Sequence, residues 1–139
     1  MAIGRRAVFI DTSAFYASLD RREGTHRSAL QVFNWIAQER IVPYTTNFVM
    51  AECHALIVSR LGQSAGVDFV DMIERGVVEL EWVSVEEEFR ARAILRYHDK
   101  TFSYTDATSF VVMERLGLRD AFSFDGDFSQ YGFRTLPDT

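Results

Sequence analysis

Apolar residues along this chain follow two rhythms, short unbroken runs of about four residues and longer stretches at helical spacing. AVFI (Ala7 to Ile10), IVPY (Ile41 to Tyr44) and AFSF (Ala121 to Phe124) are runs of the first kind, and each predicts a buried strand. Pro43 is tolerable near the end of the second. VVELEWV (Val77 to Val83) alternates instead, Val78, Leu80 and Trp82 against Glu79 and Glu81, which predicts a half-buried edge strand. FRTL near the end predicts a last short strand. The second rhythm runs over His26 to Gln38, where Ala29, Leu30, Phe33, Ile36 and Ala37 fall on one helical face. Further helices are predicted from Asn47, a plausible N-cap, to about Arg60 with a stop at Gly62, and from Ser64 to Arg75 with a stop at Gly76. Two more are predicted from Val85 to about His98 and from Tyr104 to Leu116, closed by Gly117.

Strands alternating with helices imply βαβ units and a mainly parallel central sheet in an α/β fold. The chain shows no internal repeat, low-complexity segment or linker, so residues 1–139 are read as one domain. In such sheets ligands bind outside the carboxyl ends of the strands. Acids recur there. Asp11 ends the first strand, Asp125 follows AFSF with Asp127 two residues later, and Asp106 opens a helix in FSYTDATSF. Glu52 lies inside TTNFVMAECHALIV, among so many apolar neighbours that a solvent-facing side is not expected. A buried carboxylate is costly unless it is hydrogen-bonded, paired or metal-bound.

Each acid also has a plain reading. Asp11 is a favoured N-cap residue, Asp106 closes a capping-box pattern from Ser103, and FDGDF suits an Asp-Gly turn. Glu52 in mid-helix is open only to a buried arginine partner or to the site. Together, four carboxylates at one edge need a counter-ion, and an oxygen-only set suits Mg²⁺ or Mn²⁺.

Composition narrows this only a little. The charge of −5 argues mildly against a nucleic-acid partner, yet fourteen of the fifteen basic residues are arginines, suited to forked phosphate contacts. Arg90, Arg92, Arg96, His98 and Lys100 cluster just before Asp106, either as a solvated helix face or as a phosphate-contacting rim. Tyr16 or Tyr104, near the acids, could stack on a base. Cys53 is the single cysteine, which excludes an internal disulfide framework. No run has the length of a membrane span, and MAIGRRAVFIDTS lacks a signal-peptide layout, so a cytoplasmic protein is expected. There is no zinc spacing, P-loop or GxGxxG.

FIDTSAFYA, the acid in TTNFVMAE, SYTDA and SFDGDF, in this order and nearly spanning the chain, resemble the PIN domain and most of all the VapC-type toxins of toxin–antitoxin pairs. The resemblance implies a three-layer α/β/α fold and a Mg²⁺-dependent endoribonuclease, with Mn²⁺ able to substitute. It implies a homodimer and a cognate antitoxin. Asp11 and Asp106 then correspond to the principal metal ligands and Glu52 to the acid completing the shell, directly or through water. Asp125 corresponds to the fourth acid, Asp127 to the second aspartate of the closing motif, and Ser13 to the hydroxyl holding Asp11. Ser123 departs from the usual threonine but keeps the hydroxyl. Two other readings are weighed. One is a catalytically silent PIN-like module binding RNA or protein. The other is an aspartate-nucleophile phosphatase, which needs an acid where Ser13 stands.

Overall fold

The computed structural model describes residues 6–138, and the first five residues of the leader reading lie outside them. Five short strands form one parallel sheet: β1 (Ala7–Ile10), β2 (Val42–Thr46), β3 (Glu79–Glu81), β4 (Asp120–Phe122) and β5 (Arg134–Leu136), in the order β3-β2-β1-β4-β5. Register is set by pairs such as Phe9 with Tyr44 and Phe9 with Ala121. Helices α1 (Thr12–Leu19) and α2 (His26–Gln38) join β1 to β2, and α3 (Asn47–Leu61) and α4 (Gln63–Glu74) join β2 to β3. Helices α5 (Val85–Tyr97) and α6 (Tyr104–Leu116) lead to β4, and the short α7 (Asp127–Tyr131) leads to β5. The parallel sheet is the one expected from the alternation, and the α/β/α arrangement the one implied by the resemblance.

Aromatic side chains fill both faces of the sheet. On one face Phe15 of α1 meets Phe33 of α2 and Phe69 of α4, and Phe33 packs edge-on against Phe122 of β4. On the other, Phe128 of α7 joins Phe9 of β1 to Phe110 of α6. Burying these rings fixes the layers, because each removes a large apolar area from water.

Helix ends follow local chemistry. Ser84 with Glu87, and Ser103 with Asp106, form reciprocal capping boxes at the starts of α5 and α6. Gly117 closes α6 in the left-handed conformation. The N-cap of α3 is Thr46, whose hydroxyl accepts from the Val49 amide at 3.1 Å, and not Asn47 as its residue type suggested. Asn47 is already helical, and its side-chain oxygen accepts from the Val83 amide, tying α3 to the exit of β3. The alternation over Val77 to Val83 also overstates β3. Only Glu79–Glu81 pair, at the edge of the sheet, and Trp82 is 71% exposed rather than core-facing. The chain leaves the sheet after Glu81 to enter the Ser84 cap.

One topological feature places the site. The connection from β1 goes toward β2 and that from β4 toward β5, on opposite sides of the β1–β4 pair. Such a switch point leaves a crevice at the carboxyl ends of the two strands, where open α/β sheets bind ligands.

Candidate metal centre

Asp11 follows β1 and Asp125 lies three residues after β4, so the switch point brings both to one place. Asp106, in the first turn of α6, joins them. One carboxylate oxygen from each of Asp11, Asp106 and Asp125 lies within 4.8 Å of the other two. Asp11 is 2% and Asp106 7% exposed, whereas Asp125 faces solvent.

Asp11 occupies the N-cap position of α1, but its side chain makes no capping bond. Instead one carboxylate oxygen, Oδ2, accepts from the hydroxyls of Ser123 at 2.8 Å and Ser13 at 3.0 Å. Ser13 in turn accepts from the Phe124 amide, and Ser123 from the Asp125 amide. These two serines lock Asp11 to the β4 exit through Oδ2. The anchoring expected of Ser13 is present. Ser123 shares it, and the sequence offered a signal: a hydroxyl at a strand exit, two residues before an acid.

Both readings of Asp106 hold together. Its Oδ2 accepts from the Ser103 amide at 3.2 Å, completing the capping box, while its carboxyl sits within the acid group. The turn reading of FDGDF is realised too, because the Asp127 amide donates to Asp125 Oδ1 at 3.0 Å. Asp127 is half-buried and stands outside the convergent trio, although its carboxyl bears on Asp106.

Electrostatically the trio is strained. Burial, then the charge of Asp125, pushes Asp11 up to about 7, with the two serines opposing in part. Burial, then Asp127, pushes Asp106 up to about 8. No arginine, lysine or histidine pairs with any of the three among the described residues. Buried acids that the protein leaves uncompensated fit a hard divalent cation, which favours oxygen donors and supplies the missing charge.

Glu52 departs from expectation. It is exposed, forms no ion pair among the described residues, and lies outside the trio. Helix α3 buries a single stripe, Val49, Cys53 and Ile57, and leaves Ala51, Ala55 and Val58 in solvent beside Glu52. The helix holds more apolar residues than one stripe can cover, so apolar neighbours did not mean burial. Glu52 stands one turn after Phe48, whose ring packs on Tyr104 at 5.7 Å.

A parallel-sheet switch point carrying an uncompensated trio of aspartates has the form of a divalent-cation site in an open α/β enzyme fold. The sequence matches the PIN domain over residues 8–134, and the chain belongs to that family, on its VapC-type toxin branch. A curated relative is the 23S rRNA-specific endonuclease VapC20 of Mycobacterium tuberculosis, 36% identical over 131 residues, which cover 91% of this chain and 95% of the relative. The crystal structure of that protein, described as a sarcin-ricin loop cleaving toxin, superposes with a TM-score of 0.84 over the same shares of both chains. VapBC2 from Rickettsia felis, bound to a promoter DNA fragment, matches in fold with a TM-score of 0.70 at 11% identity, covering 93% of this chain and 96% of that one. FitAcB from Neisseria gonorrhoeae matches at 0.64 and 12%, covering 92% and 95%.

Proposed function

We propose that this chain, as a single PIN-like domain over residues 1–139, is a Mg²⁺-dependent endoribonuclease. It acts as the toxin of a toxin–antitoxin pair in the cytoplasm. The observation that carries this reading is the convergence of Asp11, Asp106 and Asp125 without a cationic partner among the described residues. The likeness to VapC20 makes structured ribosomal RNA the first substrate to test. An antitoxin partner and a homodimer are part of the same proposal, which the likeness to toxin–antitoxin proteins supports for the antitoxin.

In this reading Asp11 and Asp106 would hold the cation by their carboxylates, and Asp125 would close the group from the solvent side. A bound Mg²⁺, or Mn²⁺ in its place, supplies Lewis-acid polarisation of the phosphodiester and a lowered pKa for the attacking water. Ser13 and Ser123 fix the direction of Asp11, which a ligand must keep to hold its geometry. Asp125 is the acid nearest to solvent and suits taking the proton of the attacking water. Glu52 acts from the rim through water, and Asp127 by its charge on Asp106. No residue forms a covalent bond to the substrate.

The test incubates purified protein with total RNA in Mg²⁺ or EDTA and maps new 5′ ends. Discrete ends that appear only with the metal are expected. Intact RNA at saturating Mg²⁺ or Mn²⁺ would overturn the assignment.

A further inference from the structure

The first turn of α6 carries more than Asp106. The hydroxyl of Tyr104, which opens that helix, reaches across to α5, donating to Glu88 Oε1 at 2.7 Å and accepting from Arg92 Nη1 at 2.9 Å. The Arg92 guanidinium also lies 4.6 Å from the centroid of the Phe89 ring, which is 63% exposed. Arg92 is thus held from two sides. Like Arg90 and Arg96 on the same helix it forms no ion pair among the described residues, and the Glu88 carboxylate reaches it only through the shared Tyr104 hydroxyl. Arg115, by contrast, is taken up by Glu81 and Glu87, Arg22 by Asp20 and Arg134 by Asp120.

A guanidinium has five N–H donors in a rigid fork matched to phosphate oxygens. Here one is engaged by a phenol and the others have no protein acceptor among the described residues. Fixing a long side chain costs conformational entropy, so an arginine held in place with donors unused is arranged for an external anion. Phe89, Arg92 and Arg96 stand at i, i+3 and i+7, on one face of α5. A ring with an open surface beside a guanidinium suits the alternation of base and phosphate in a single strand.

We infer that Arg92, positioned by Tyr104 and Phe89, is a phosphate-binding residue for the RNA strand that enters the Asp11–Asp106–Asp125 centre, with Phe89 offering its ring to an unpaired base. This rests on the ribonuclease reading. An anionic centre repels a polyanion, and a cation beside it holds a neighbouring phosphate against that repulsion. An acidic protein segment is the competing occupant, but it would leave the open aromatic ring without a matching group.

The experiment measures binding of a fluorescein-labelled single-stranded oligoribonucleotide in Ca²⁺, by anisotropy over a salt series, for wild type, Arg92→Gln, Arg92→Lys and Phe89→Leu. Arg92→Gln should weaken binding about tenfold, the loss expected of one charge-assisted contact. It should also flatten the slope of log affinity against log salt by about 0.7, one phosphate released from a single strand. Arg92→Lys should restore the slope while leaving affinity below wild type, and Phe89→Leu should weaken binding with the slope unchanged. Thermal melting of each variant separates these effects from loss of fold, which would lower affinity but leave the slope of the folded fraction as in wild type. Equal affinity and slope in wild type and Arg92→Gln overturn the inference, as does an effect of Arg92→Gln on binding of poly-glutamate but not of RNA. Cleavage of total RNA by wild type in Mg²⁺, measured alongside, decides the ribonuclease reading separately. Cleavage intact with the Arg92 effect absent removes this inference alone.

Discussion

Replacing Asp11 by asparagine tests whether the acid centre is strained when no cation fills it. In the unfolded chain this carboxyl loses its proton near 3.8, whereas in the metal-free fold burial and the charge of Asp125 hold it up to about 7. Between those values the native state binds more protons than the unfolded one, so the stability of metal-free protein falls as pH rises through that window and levels off above it. At about 1.4 kcal/mol per pH unit, the difference amounts to on the order of 4 kcal/mol as an upper bound. Asp106, raised to about 8, shares part of it. Asparagine keeps an oxygen for the Ser13 and Ser123 hydroxyls but carries no charge. Asp11→Asn should therefore match wild type only below about pH 4 in EDTA, exceed it by about 1–2 kcal/mol near pH 5 and by about 2–4 kcal/mol near pH 8. Urea unfolding at a series of pH values reads this directly. A parallel melt with Mn²⁺ should raise the wild type well above its EDTA value and the variant much less, because a ligand of the native state stabilises by mass action. Equal pH slopes in the two proteins, or a variant less stable than wild type near pH 8, would refute the electrostatic reasoning.

Asp106→Asn should abolish metal-dependent cleavage of total RNA while circular dichroism shows a native fold, and near-wild-type turnover at saturating Mg²⁺ would remove it from the site. Glu52→Gln should leave stability in EDTA within about 0.5 kcal/mol of wild type, as for other exposed positions without partners, while cleavage falls. A large loss of stability would reveal a partner that its exposure hides. Arg115→Met should cost about 2 kcal/mol in urea unfolding, by leaving the buried Glu87 and the neighbouring Glu81 unpaired. That is below the roughly 3–5 kcal/mol of a fully buried pair, because the Arg115 side chain is 39% exposed. No measurable change there would mean that solvent already screens the network.

The strands β1, β2 and β4 were legible because strands inside a sheet read as continuous apolar runs, and because a carboxylate directly after AVFI and AFSF marks the sheet edge. β3 was overread, since alternation continues through Val83 while pairing stops where the chain turns to its cap at Ser84. Three of the four expected acids meet: Asp11 and Asp125 because strand order brings the exits of β1 and β4 together, and Asp106 because it opens α6 beside them. Glu52 was misjudged, because its position depends on which stripe of α3 is buried, and that is decided by contacts with α1 and α4 that spacing does not reveal. The Arg92–Tyr104–Phe89 group was only partly visible. Arg92 and Tyr104 were noticed singly and Phe89 was not, because the pairing across α5 and α6 is tertiary.

Asp106 answers to two masters, since the same side chain closes the cap of α6 and borders the metal centre. Its freedom to drift in evolution is correspondingly small. Glutamate, the usual third residue of a capping box, would serve the helix but carry its carboxyl one methylene further into the cleft. Asparagine would keep the size and lose the charge that a cation needs. Ser103 has a wider choice, because threonine caps in the same way. Among variants selected for folding alone, substitutions at these two neighbours should therefore diverge: position 103 alternating between the hydroxyl residues, position 106 opening to glutamate once cleavage is no longer required.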